Sequence, residues 1–185
     1  MSGPRLPAAA ALGLLALPAA LAASAGGVGP YRFGMTKQQV LAVRECASYR
    51  DVPGRSQLEC PNFPFAGRPR DTFLIFRPEG LSSVQIWFYE GKDRGQAEAA
   101  MDDLFTYMRK EYGGKELKGP SATSTRKELL RRLDQQTPSQ GFTRVQWRPK
   151  KQPDGAQVFA SVFRHVRRGY YIFLQVDDPA QTRRK

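Results

Sequence analysis

Thr72-Phe73-Leu74-Ile75-Phe76-Arg77-Pro78-Glu79-Gly80-Leu81-Ser82-Ser83-Val84-Gln85-Ile86-Trp87-Phe88-Tyr89 is the stretch that decides the fold. Its two runs, Thr72–Arg77 and Ser83–Tyr89, are rich in β-branched and aromatic residues. They alternate with period two around a Pro-Glu-Gly turn, which is the pattern of a β-hairpin. Phe73 and Ile75 take one side and Leu74 and Phe76 the other. Val84, Ile86 and Phe88 alternate with Gln85, Trp87 and Tyr89. Apolar side chains on both faces put this hairpin inside a sheet rather than at its open edge.

Helix starts flank the hairpin. Upstream, Met35-Thr36-Lys37-Gln38-Gln39-Val40 has a hydroxyl at the N-cap, a glutamine three residues on that reaches back to the cap N–H, and an apolar pair at the staple positions. It predicts a short helix from Lys37 to Glu45, delivered by a turn at Gly34. Downstream, Asp93-Arg94-Gly95-Gln96 repeats the box. Ala97, Met101, Leu104 and Met108 then fall on one helical stripe with Ala100 and Phe105, and Gly113-Gly114 ends it. Thr125-Arg126-Lys127-Glu128 opens a third, shorter helix carrying Leu129, Leu130 and Leu133. Phe142–Arg148, Gln157–Val166 and Tyr170–Val176 then alternate as a three-strand meander.

The sum is a single α+β domain over residues 26–176. It has an antiparallel sheet of about five strands, the hairpin plus the meander, with two to three helices packed on one face. The two halves share a coarse helix-then-strands plan, as an old duplication would leave. Residues 177–185 form a polar, basic C-terminal tail.

Residues 1–25 carry an address. Arg5 is the only charge before the apolar run Leu6–Ala23, which ends in Ala23-Ser24-Ala25. A positive start, an apolar core and small residues at the end describe a secretory signal peptide cleaved near Ala25-Gly26. Pro7 and Pro18 interrupt the run, and it is mostly alanine, so a membrane anchor is the weaker reading. No lipid-attachment cysteine follows. A soluble periplasmic or secreted product is expected, without a transmembrane segment in the mature chain. Cys46 and Cys60 are the only cysteines of the 185 residues, and in an exported protein such a pair reads as a disulfide.

The formal net charge is +12, or +11 once Arg5 is removed with the signal. It is unevenly placed: residues 26–114 hold 12 basic and 11 acidic side chains, residues 142–185 hold 10 and 3. Arg144 and Arg148, with Lys150 and Lys151, belong to the first meander strand and its turn. Arg164, Arg167 and Arg168 belong to the next turn. Were Arg164 to lie across from Arg144 and Arg148, one sheet face would carry a basic stripe. Export turns this charge toward an anionic envelope component or an acidic protein and away from nucleic acid. Trp87 and Tyr89 share a strand face, which is either core against a helix or an exposed patch for a protein partner.

Catalytic chemistry is sparse. His165 is the sole histidine, and Ser161 lies on the same strand face. A nucleophile–base pair also needs an orienting group and an oxyanion hole, and no Gly-x-Ser-x-Gly turn is present. Asp102 and Asp103 are adjacent on a helix and diverge by about 100°. No metal-ligand spacing, phosphate loop or dinucleotide fingerprint occurs, so neither metal nor cofactor is implied.

The phrase Phe33-Gly34-Met35-Thr36-Lys37-Gln38-Gln39-Val40 resembles the helix start of small bacterial envelope proteins. Among them are the small lipoprotein subunits of the outer-membrane β-barrel assembly machinery and the tandem-repeat protein inhibitors of β-lactamases. The resemblance covers about eight residues and departs from those families in lacking the lipid cysteine and a Leu-Gly-x-Pro after the helix. It implies an envelope location and a binding or scaffolding role rather than catalysis. The expected function is therefore a non-catalytic exported binding domain. An inhibitor of a secreted or periplasmic enzyme is the alternative, and a small hydrolase using Ser161 and His165 the less favoured third.

Overall fold

The computed structural model describes residues 26–113, 115–116, 143–148, 150, 155–165 and 167–182. Strands dominate. A two-stranded hairpin, β1 (Gly27–Val28) and β2 (Tyr31–Arg32), precedes helix α1 (Lys37–Leu41). Then come β3 (Arg50–Asp51), β4 (Gln57–Phe65), β5 (Arg68–Arg77) and β6 (Gly80–Gly91). Helix α2 (Arg94–Tyr112) leads to β7 (Lys115–Glu116), β8 (Thr143–Arg148), β9 (Gln157–His165) and β10 (Gly169–Asp177). A single helical turn, Pro179–Thr182, follows.

These strands form one eight-stranded sheet in the order β3-β4-β5-β6-β10-β9-β8-β7, and every pairing is antiparallel. This overturns the α+β expectation of five strands and two to three helices. The protein is mostly β, and among the described residues only α1 and α2 are helices of more than one turn. The third helix start, at Thr125, lies outside the described residues.

Proline hid β4 from view. Pro61 and Pro64 argue against a strand because proline cannot donate to a ladder. Both are accommodated in the half of β4 beyond Cys60, where β3 has ended and the outer side needs no donors. A bulge between Cys60 and Phe63, with Asn62 at φ 56°, absorbs the irregularity. The turn into β5 is Ala66-Gly67, both at positive φ, the conformation of a type I′ hairpin. With alanine in place of the usual asparagine or aspartate, it left no sequence signal.

The helix starts form as their residues require. Thr36 Oγ1 accepts from Gln39 N at 3.2 Å, and Gln39 Oε1 accepts from Thr36 N at 2.8 Å, a complete capping box. Asp93 accepts from Gln96 N at 2.8 Å. Its own N–H is taken by the Tyr89 hydroxyl at 3.0 Å instead of by Gln96. All six stripe residues of α2 are buried. They pack on β6 and β10, the centre of the sheet, together with Leu74, Ile86, Ile172, Leu174 and Val176.

The halves match in detail. Each runs helix, two-residue strand, then three meander strands, and the last strands, β6 and β10, pair at the middle. Each last strand begins with a glycine at positive φ, Gly80 or Gly169. Each of these presses its backbone on the glycine two residues before a helix N-cap, Gly34 or Gly91. A Cβ at Gly80 or Gly169 would overlap the carbonyl oxygen of that partner.

Cys46 and Cys60 form a disulfide with Cα atoms 5.9 Å apart, tying the segment after α1 to β4. The sequence separation of 14 corresponds to about 3 kcal/mol in the chain-entropy model. Reduction should therefore lower the melting temperature by about 6–12 °C for a domain of this size, read by circular dichroism with and without reductant. Gly169→Ala and Gly80→Ala should each cost more than 2 kcal/mol in urea titrations. Gly67→Ala, with nothing near the added methyl, should cost about 1 kcal/mol.

Candidate binding surfaces

Cross-strand partners share a sheet face, so the register assigns every side chain to one of two sides. The helix side holds the core, and β1, β2 and α1 add Val28, Tyr31, Phe33 and Val40 to that same core. Tyr31 stacks on Phe63 at 5.3 Å and meets the Tyr49 hydroxyl at 3.1 Å. Burial, with Tyr49 next to it, pushes the Tyr31 hydroxyl well above the ordinary tyrosine range.

The other side carries an aromatic ladder across β5, β6, β10 and β9. Phe73 and Trp87 are 4.7 Å apart, Trp87 and Tyr171 5.1 Å, and Tyr171 and Phe163 5.7 Å. Neither helix packs on it. Beside the ladder runs a polar row. Ser83 Oγ donates to Asp177 at 2.6 Å, Gln175 Nε2 donates to the same carboxylate at 2.9 Å, and Gln85 reaches Gln175 at 3.5 Å. Burial, then the Glu90 carboxylate at its hydroxyl, raises the pKa of Tyr171, while Arg168 acts in the opposite direction.

A bulge separates Trp87 from Tyr89. Ile172 pairs with Tyr89, but the next residue, Phe173, pairs with Trp87, so Phe88 is the extra residue. Trp87 therefore faces the ladder. Tyr89 turns with Phe88 to the helix side, where both pack against the core. Strict alternation had put Trp87 and Tyr89 on one face, and only the register shift parts them.

The arginines divide too. Arg144 pairs with Ser161, faces the ladder side and sits over the Phe159 ring at 5.0 Å. Arg148 is on the same side by alternation. Arg164 pairs with Tyr170 on the helix side, its guanidinium 5.5 Å from that ring. Arg167 and Arg168 occupy the β9–β10 turn. The basic stripe joining Arg164 to Arg144 and Arg148 does not form.

Ser161 and His165 share the ladder side, but four strand residues separate them by about 13 Å, with Phe163 between. His165 Nδ1 accepts the backbone N–H groups of Arg167 and Arg168 at 3.2 and 3.3 Å, so the ring organises the turn. Ser161 is fully buried and its hydroxyl has no hydrogen-bond partner among the described residues. These two residues do not make a nucleophile and base.

Sequence reasoning also passed over Arg70. Its guanidinium lies 3.7 Å over the Phe88 ring and donates to Phe88 O at 3.3 Å, while Nε is buried without an acceptor. Burial, then Arg68, lowers its pKa. Arg70 fills the gap where β5 and β6 part company beyond the Thr72–Ile86 pair. No property of an isolated arginine in the sequence marks such a position.

No group of three or more His, Cys, Asp or Glu side chains among the described residues is placed to hold a metal ion. No described helix is long and apolar enough to cross a membrane. Comparison with known protein families, characterised proteins and solved structures finds no match.

Removing the unpartnered Ser161 hydroxyl relieves a desolvation cost. Ser161→Ala should leave stability unchanged or raise it by up to about 1 kcal/mol in denaturant titrations.

Proposed function

We propose that this protein is an exported, non-catalytic binding domain that holds a protein partner on the ladder side of its sheet. The observation that carries the reading is the half-buried pair Phe73 and Trp87 on the face that neither helix covers, with the exposed Arg144 and Arg148 cations at its β8 border. Tyr171 and Phe173 on the same face are buried and support the pair. Aromatic and arginine side chains dominate the energetics of protein interfaces, because they bury large area at low entropic cost. Export supports the same reading: the leader-like residues 1–25 and the Cys46–Cys60 disulfide both fit an oxidising compartment. The cationic border favours a partner surface that is acidic around an apolar centre.

Crosslinking in the producing envelope, followed by affinity measurement with the captured partner, tests this. Trp87→Ala should weaken binding more than tenfold, and Arg144→Gln, which leaves the core untouched, about three- to tenfold. A partner whose affinity is indifferent to both substitutions overturns the assignment. A captured enzyme that loses activity on binding would make the domain an inhibitor acting through the same face.

A further inference from the structure

We infer a second, separate interaction surface: the corner where the β9–β10 turn meets the start of α2 binds an anionic lipid surface. Three segments bring cations to this corner. Arg167 and Arg168 come from the turn, Arg164 from the end of β9 and Lys92 from the link between β6 and α2. The close approach of Gly169 to Gly91 and Lys92 forces them together, since a Cβ on Gly169 would touch the Lys92 Cα. Without that glycine the turn could not sit on the helix lead-in.

The acidic groups of the corner keep their charge, so the four cations stand against two carboxylates. The Asp93 carboxylate caps α2 through Gln96 N at 2.8 Å, and Glu90 meets the Tyr171 hydroxyl. Lys92, Arg167 and Arg168 are exposed. The cationic cluster at the other end of β6 differs, because there Lys37 is paired with Asp51 at 2.6 Å and Glu79 lines the same cleft as Arg55 and Arg77.

Geometry selects the ligand class. The corner is made of a hairpin turn and a helix lead-in, and its cations come from three separate segments rather than from one loop that wraps a single phosphate. Among the described residues its exposed side chains include no apolar anchor of the kind that marks a protein hot spot. A spread array of long, mobile cations suits headgroups that can rearrange beneath it, and such contacts are electrostatic and salt-sensitive. Each cation near an anionic headgroup layer strengthens binding about fivefold.

Cosedimentation with vesicles of phosphatidylglycerol and phosphatidylcholine, against vesicles of phosphatidylcholine alone, tests the surface. Any leader still attached is common to the parent and to both double variants, so its contribution cancels when these are compared. Preference for the anionic vesicles should fall steeply between 50 and 300 mM salt, roughly following the shortening Debye length. Lys92→Gln with Arg167→Gln should weaken that preference about 25-fold. Arg55→Gln with Arg77→Gln removes the same charge roughly 35 Å away along β6 and should weaken it no more than about threefold. Equal losses from the two pairs, or no preference for anionic vesicles, overturn the inference. Capture by an acidic protein without vesicle binding overturns it as well.

Discussion

Everything in this fold depends on the antiparallel seam between β6 and β10. It joins two meanders that would otherwise be separate small sheets, and it lies directly beneath α2, the only long helix among the described residues. Leu174 pairs with Ile86 and Val176 with Val84, so the seam places deeply buried aliphatic side chains of both halves in one layer under the helix. An isolated two-stranded hairpin is at best marginal in water, and independent stability needs three or more strands with an apolar face or a covering helix. Fusion at the seam gives both halves a common core.

Much of this was legible in local chemistry. The α2 stripe, the Thr36 capping box, the β5–β6 hairpin and the cysteine pair each follow from a spacing of a few residues. What escaped reading was whatever depended on a partner strand. β4 was masked by Pro61 and Pro64, which are harmless only because β3 ends early. The sides of Trp87 and Tyr89 depend on a bulge that exists only once β10 is in place. Arg164 landed opposite Arg144 because of cross-strand register, which no single strand encodes. The pattern is consistent: the sequence fixes strand phase, and the sheet fixes which face that phase becomes.

The seam bulge does more than change a face. By turning Tyr89 toward the helix, it brings the phenol to Asp93 N, so a residue of the sheet completes the cap of the helix that covers the sheet. It also leaves Trp87 alone among the β6 aromatics to face the ladder. One inserted residue thus locks α2 to the strand that launches it and divides the aromatic residues of β6 between the helix side and the ladder side.

The two proposed surfaces have different physical characters, and the fold explains why they can coexist. The ladder side is a broad sheet face on which Asp177, Ser83 and the glutamines satisfy one another, while Ser161 Oγ and Trp87 Nε1 are buried without a partner among the described residues. The satisfied row suits the dry centre of a protein contact, where residual hydrogen-bonding demand would be costly. The β9–β10 corner is small and charged, with Lys92, Arg164, Arg167 and Arg168 outnumbering Glu90 and Asp93. A site at the end of the strands and a site across them do not compete for space. The two proposals together have the domain rest on a charged surface by its corner while Trp87 and Arg144 on the sheet face meet a second molecule.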